Sequence, residues 1–307
     1  MLRLAPLLLL ALAACGTSAD TDAPADTDTD SEVPLPPIDE DVQNVAPAGY
    51  VPENPTRIIF LGDSITAGDG TNEERQLYKA ILQENAARWT GFDDVDLETS
   101  FPSIAEVVDV SVGGATTDTM LVSQLADLES QLAFPASGET LIVFTIGGND
   151  LQAALVPFAN AQVVVDKTLG NLAEIIDWLQ DPAKFPDGAY LHVTNVYEPT
   201  DGIGQYDDCF FGIDFEEKMP YLEAYNQGVA DMANEKGFAA VDLRGHFLGH
   251  GWNYMDMNVP QHDMDDMTLW MLDDCIHPNP RGHHELRRLF HASITGQPFR
   301  YILPAAE

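Results

Sequence analysis

Basic side chains are scarce in this chain. Lysine and arginine number 14 in 307 residues, against 50 aspartates and glutamates, for a formal net charge of −36. Proteins that bind nucleic acid neutralise phosphates with clustered lysine and arginine, so that class of partner is excluded. Long apolar runs are also missing. Leu4 to Ala14 is apolar but too short to span a bilayer, and no later segment is apolar enough to try. Cysteine occurs only three times. Apolar residues are plentiful: 45% of the chain is hydrophobic and 9% aromatic, enough to bury a core and to exclude disorder throughout. The length suits one α/β domain with an appendage.

The acid is unevenly spread. Residues 16–56 hold ten acidic residues and no lysine or arginine, whereas residues 57–307 hold 40 acids and 13 bases, a net −27. The first stretch has almost no large apolar side chain and contains Pro34, Pro36 and Pro37. Like charges repel and proline favours extended backbone, so residues 15–56 read as a solvated, disordered tether. Asp20, Asp22, Asp26, Asp28 and Asp30 do not make an EF-hand, because the glycine that lets such a loop turn is absent. Ahead of the tether, residues 1–14 have the charge and apolar run of an export signal. The run ends Leu12-Ala13-Ala14-Cys15, which resembles the lipobox of bacterial lipoproteins. That resemblance implies lipid on Cys15, the sole attachment to a membrane. Gly16 in place of aspartate implies the outer membrane, on its periplasmic or surface face. With Cys15 so consumed, Cys209 and Cys275 remain, either bonded to each other or as two buried thiols.

From residue 57 short apolar runs alternate with helical spacing. Residues 57–61, 107–112, 141–146, 190–196 and 239–243 read as buried strands. Residues 73–89, 117–132, 162–180, 218–236 and 280–295 read as helices. Strands without a polar face, alternating with helices, predict a parallel five-stranded sheet covered on both sides, over a domain of residues 57–303. Two stretches, 197–217 and 244–273, are too long for ordinary connections.

Ligand sites in such sheets form at the carboxyl ends of the strands. Gly62-Asp63-Ser64, Gly113-Gly114 and Gly147-Gly148-Asn149-Asp150 all fall there. They line up a hydroxyl, backbone N–H groups and a carboxamide. A serine needs a base to become a nucleophile, and Asp274-Cys275-Ile276-His277 can supply one, with the carboxylate orienting the imidazole. The N–H groups of Ser64 and Gly114 and the Asn149 amide could stabilise an oxyanion.

These four blocks, in this order, resemble the SGNH or GDSL-type hydrolases. The resemblance implies a three-layer α/β/α, flavodoxin-like fold with Ser64 as nucleophile, His277 as base and Asp274 as its partner. It requires no metal and no cofactor. The GxSxG elbow of α/β-hydrolases is not met, since Thr66 stands where its second glycine belongs. A disulfide from Cys275 to Cys209 would pin the Asp274–His277 turn to the first long insertion.

The expected activity is a monomeric serine esterase hydrolysing lipid or short acyl esters through an acyl-enzyme. The alternatives are a carbohydrate O-deacetylase of the same family and a non-catalytic, surface-displayed binding protein. Activity is expected to fail in mild acid, where His277 takes a proton. His246, His250 and His262, with Asp263, Asp265 and Asp266, match no compact metal motif. His283 and His284 read as a helical surface or salt-bridged face. The aromatics and methionines of residues 244–273 read as a pocket wall or lid, or as local core covering the sheet edge.

Overall fold

The computed structural model describes residues 43–68, 97–155, 160–205, 215–259 and 261–298. All described residues belong to one compact unit. The expected helix at 73–89 and the expected tether up to residue 42 lie outside the described residues.

Five strands form one sheet: β1 (Arg57–Gly62), β2 (Glu106–Asp109), β3 (Thr140–Thr145), β4 (Ala189–Thr194) and β5 (Ala239–Val241). Their order is β2-β1-β3-β4-β5 and every pairing is parallel. Ile58 lies opposite Val107 on one side and Leu141 on the other. β1 and β3 are buried along their whole length, which is why neither alternates apolar with polar.

The helices fall on two faces. One face packs Ile59, Leu61, Ile142 and Phe144 against α3 (Thr117–Thr119), the π-helical turn Met120–Gln124, α4 (Leu125–Gln131), α6 (Ala161–Leu179) and α7 (Met219–Lys236). The other packs Ile58, Phe60, Leu141 and Val143 against α8 (Leu243–Phe247) and α9 (Pro280–Thr295). Alternate residues of β1 thus feed two separate cores. The short helices α1 (Ser64–Ala67), α2 (Leu97–Ser100) and α5 (Gly148–Gln152) complete the described helices named here. The result is the three-layer α/β/α architecture with a flavodoxin-like strand order. Among the described residues no helix is long and apolar enough to cross a membrane.

Two local readings change. The domain starts earlier than composition implied. Val45 exchanges backbone hydrogen bonds with Ala240 at 2.9 and 2.7 Å, and the Tyr50 hydroxyl accepts from Leu191 N–H at 2.8 Å. Residues 43–56 are therefore part of the fold rather than tether, held by backbone pairing that composition does not register. The second strand, by contrast, is regular through Asp109, and its pairing with β1 runs on to the expected end at 112, with Val110 N–H on the Phe60 carbonyl at 2.9 Å and Val112 N–H on the Gly62 carbonyl at 3.0 Å. Finally, His283 and His284 are fully buried and not on a surface. The salt-bridged half of that reading stands: buried Glu285 pairs with Arg281 at 3.0 Å and Arg288 at 2.5 Å, and receives His246 at 3.0 Å. A charged helix face can be buried when its charges are paired in this way.

Candidate active site

The strand order reverses direction beside β1, and the sequence-predicted site residues gather at the carboxyl ends of β1 and β3. β1 ends at Gly62 with φ +123°, and a Cβ there would lie 2.4 Å from the Thr145 carbonyl oxygen. Only glycine fits. Gly62 is held by a residue that sequence reasoning missed. Its N–H donates to Gln124 Oε1 at 2.9 Å, and Gln124 Nε2 donates to its carbonyl at 2.7 Å. Gln124 sits in the π-helical turn, the kind of helix irregularity that recurs at functional sites. The signal was a glutamine between Met120 and Leu128, in the middle of an otherwise apolar i, i+4, i+8 stripe.

Asp63 then caps α1 and Ser64 is the first residue of that helix, both buried. Asp63 Oδ1 accepts from Ile65 N–H at 3.1 Å and from the Thr145 hydroxyl at 2.7 Å. Burial pushes its carboxyl up from 3.8 to about 6; those hydrogen bonds and the nearby charge of His277 act in the opposite direction. The folded state therefore holds more protons than the open chain between about pH 4 and 6, and Asp63 costs stability as pH rises through that window. Above it the buried charge costs on the order of 3 kcal/mol. Asp63→Asn retains the Oδ1 acceptor without the charge. It is expected to unfold at a higher temperature than wild type at pH 7.5, and the gap should close toward pH 4. A lower midpoint at pH 7.5 would overturn this account.

The glycine and asparagine blocks are latched together. Gly147, at φ +107°, lies where a Cβ would meet the Tyr225 hydroxyl at 2.4 Å. That hydroxyl donates to the Ile146 carbonyl at 3.2 Å. Asn149, in α5, donates through Nδ2 to the Ala115 carbonyl at 3.0 Å. Asp150 accepts from the Thr117 N–H at 2.9 Å and its hydroxyl at 2.6 Å. Burial raises the Asp150 carboxyl, against those bonds. Of the two adjacent glycines, Gly114 is the one in the left-handed region, at φ +73°, with open space on its Cβ side. The Asn149 amide is thus anchored by one hydrogen and keeps a second for an incoming oxygen.

The turn before α9 supplies the remaining pair. His277 Nδ1 lies 2.6 Å from Asp274 Oδ2, while Asp274 Oδ1 accepts the N–H groups of Ile276 at 3.0 Å and His277 at 2.9 Å. Burial alone would raise the Asp274 carboxyl, but these bonds outweigh it and hold it below the usual carboxylate range. Nδ1 is the donor to that carboxylate, which leaves Nε2 for proton transfer. The turn is braced from both insertions. Tyr197 donates its hydroxyl to the Ile276 carbonyl, Leu272 N–H bonds the His277 carbonyl at 2.8 Å, and Asn279 Nδ2 donates to the Leu269 carbonyl at 2.7 Å. Cys275, at φ +63°, is disulfide-bonded, and Cys209 lies outside the described residues.

Ser64, Asn149 and Ile276 line a single cavity of about 150 Å³. Its walls are apolar: Leu151, Leu155, Val196, Phe215, Tyr221 and Leu222. They come from α5, the turn after it, the segment after β4, and the approach to α7 with its first turn, not from residues 244–273. In that second insertion Phe247 and Trp270 are buried in the core under the sheet edge. Of its two readings the local-core one describes these aromatics. His250 stacks on Trp270, ring centroids 3.5 Å apart and 4° from parallel. Burial drives the His250 imidazole down to about 4. Among the described residues no group of three or more His, Cys, Asp and Glu is placed to hold a metal ion.

Another unanticipated residue joins the insertions. Asp201, fully buried with φ +55°, accepts three backbone N–H groups: Gly249 at 3.0 Å, Gly251 at 2.7 Å and Asn253 at 2.8 Å. Burial pushes its carboxyl up to about 6 in spite of them.

A parallel 2-1-3-4-5 sheet, with a buried serine after β1 and an Asp–His pair before the last helix, defines an α/β/α hydrolase. The profile of the GDSL-like lipase/acylhydrolase family matches residues 60–285, and the chain belongs to that family. It is a hydrolase of ester bonds. Three solved structures share the fold. An acetylxylan esterase from Geobacillus stearothermophilus is 18% identical, with a TM-score of 0.51 over 78% of this chain and 94% of that one. A phospholipase A1 from Streptomyces albidoflavus is 19% identical, with a TM-score of 0.51 over 78% of this chain and 99% of that one. An α/β hydrolase enzyme from the metagenome of Lake Arreo, Spain, is 19% identical, with a TM-score of 0.52 over 81% and 98%. No curated protein sequence matches the chain.

Proposed function

We propose that this hydrolase is a serine esterase acting on carboxylic esters with an apolar acyl group. The cavity that starts at Ser64 and Asn149 and continues between Leu151, Leu155, Phe215 and Leu222 carries the reading. Ser64 Oγ attacks the ester carbonyl while His277 Nε2 takes its proton, and Asp274 holds the ring and offsets its charge. The N–H groups of Ser64 and Gly114 and the Asn149 amide receive the oxyanion. His277 returns the proton to the departing alcohol, then activates the water that releases the acyl group from Ser64. An acyl chain lying in the cavity leaves water and exchanges apolar surface for apolar walls, at about 25 cal/mol per Å².

A panel of p-nitrophenyl esters of rising chain length tests this. kcat/KM should climb from acetate to medium-chain esters and fall once the cavity is filled. A preference for acetate that declines with every added carbon would instead favour the second reading, deacetylation of a carbohydrate. That reading draws on a polar cavity of about 410 Å³ lined by Asn195, Glu223, Gln227, Asn234 and Arg244, which shares Asn195 with the apolar one. We also propose that Cys15 carries lipid and that the acidic residues after it act as a spacer from the outer membrane. Incorporation of labelled palmitate by wild type and its loss in Cys15→Ser is the expected result.

A further inference from the structure

Eight large hydrophobic side chains stand exposed among the described residues, and half of them are methionines from one short stretch. Met255, Met257, Met264 and Met267 are 67, 76, 74 and 53% exposed. The other four are valines spread from Val107 to Val163. In the same insertion Phe247, Val259, Trp270 and Met271 are at 3% exposure or less, and Leu248, Trp252, Leu269 and Leu272 are half-buried. Core was thus available to this segment, and four thioethers were left outside it. Four exposed thioethers between residues 255 and 267 call for a reason.

Contact with lipid is opposed by what lies between the methionines. Asp256 and Asp265 are exposed among them, and residues 245–280 contain no lysine or arginine to meet a phosphate headgroup. Sinking the methionines into a bilayer would take those carboxylates out of water. Thioether sulfur has another property: it is a soft, neutral ligand that favours Cu(I)-like ions over hard cations.

An imidazole stands prepared in the same loop. His262 Nδ1 is 2.8 Å from the Tyr254 carbonyl oxygen, which can only accept, so Nδ1 carries the hydrogen and the neutral ring has its lone pair on Nε2. Nε2 is buried and has no hydrogen-bond partner. An unsatisfied buried acceptor costs roughly 1–3 kcal/mol and is a mark of a missing water or ion. A histidine whose Nδ1–H is tied to a carbonyl is also the usual arrangement of a metal-bound imidazole. The bond sets His262 against the segment entering Met255, and Met264 follows two residues later. The surrounding aspartates add a negative field that concentrates cations.

We propose that His262 Nε2 and the thioethers of Met255, Met257, Met264 and Met267 form a binding site for a soft monovalent d¹⁰ cation, Cu(I) or Ag(I). None of these five residues lines the cavity at Ser64, and binding there does not depend on the ester chemistry.

The test uses the full chain with its free thiols alkylated, so that cysteine cannot bind the ion. Titration with Ag(I) by calorimetry, and with Cu(I) in competition with a chromogenic chelator, should show one ion per chain. Replacing the four methionines with leucine keeps the apolar surface and removes the sulfur. This variant should lose at least about 100-fold in affinity, the upper end of what an outer-shell change costs, with an unchanged unfolding midpoint. His262→Gln should lose about tenfold or more. If the fourfold variant does not fold, Met255→Leu with Met264→Leu, on either side of His262, gives the same reading. Absence of binding in wild type overturns the proposal, as does equal binding by the leucine variants. So does adsorption of both wild type and leucine variants to phosphatidylcholine vesicles without metal uptake, which would make this face a lipid-docking surface.

Discussion

Ser64→Ala is expected to lower kcat for ester hydrolysis by about 10⁶-fold while leaving the fold and the unfolding midpoint nearly unchanged. His277→Ala should cost about as much, because neither nucleophile nor base works without the other. The Ser64→Ala/His277→Ala pair should be no slower than either single change. Asp274→Asn should cost less, about 10⁴-fold, since it disturbs the ring's tautomer and charge without removing a reacting atom. The geometry behind this order is specific. Asp274 places one oxygen on His277 Nδ1 at 2.6 Å and spends the other on the backbone of Ile276 and His277. An asparagine can satisfy that backbone through its oxygen only by presenting an N–H to Nδ1, which forces the hydrogen onto Nε2. The ring then cannot accept a proton from Ser64. Stopped-flow and steady-state rates on one activated ester measure all four variants. Losses that multiply in the double variant, or an Asp274→Asn rate near wild type, would defeat the proposed set.

Asp201→Ala should destabilise the protein by about 3–5 kcal/mol, the cost of stranding several buried N–H groups together. Gly249, Gly251 and Asn253 all donate to this one carboxylate. Gly251 packs so close that a Cβ there would come within 2.7 Å of Asp201 Oδ1. Alanine would also inherit a φ of +55°, a conformation that aspartate and asparagine tolerate better. Asp201→Asn keeps that tolerance and the two bonds to Oδ1 but turns an amide toward Asn253 N–H, so its loss should be nearer 1–2 kcal/mol. Urea unfolding at pH 7 ranks the three proteins. Equal stability of Asp201→Ala and wild type would show that the two insertions are held by something else. Because Tyr197 and Leu272, which brace the His277 turn, belong to the joined segments, Asp201→Ala should also raise the rate of thermal inactivation.

The blocks of the candidate site were legible because each is local. Gly62-Asp63-Ser64, Gly147-Gly148-Asn149-Asp150 and Asp274-Cys275-Ile276-His277 carry their meaning within a few residues and a predictable position at a strand end. The start of the domain was less legible: Val45 pairs with Ala240 through backbone groups, which composition does not report. The walls of the cavity were not legible at all. Aromatics and methionines before the catalytic turn pointed to residues 244–273, yet Phe247 and Trp270 went into the core and residues 151–155 and 215–222 made the walls.

By itself the sequence determined the parallel α/β architecture and the four blocks of the site, because hydrophobic period and turn chemistry act over a few residues. Tertiary structure alone decided the rest. Gln124 grips Gly62 across 62 residues, Asp201 clasps a loop some 50 residues away, and Glu285, on a helix whose sequence looks solvated, takes up buried His246 from 39 residues away. Each of these is a polar group whose burial is tolerable only with a partner from a distant segment. Which segment arrives is settled by packing, not by neighbours in the chain.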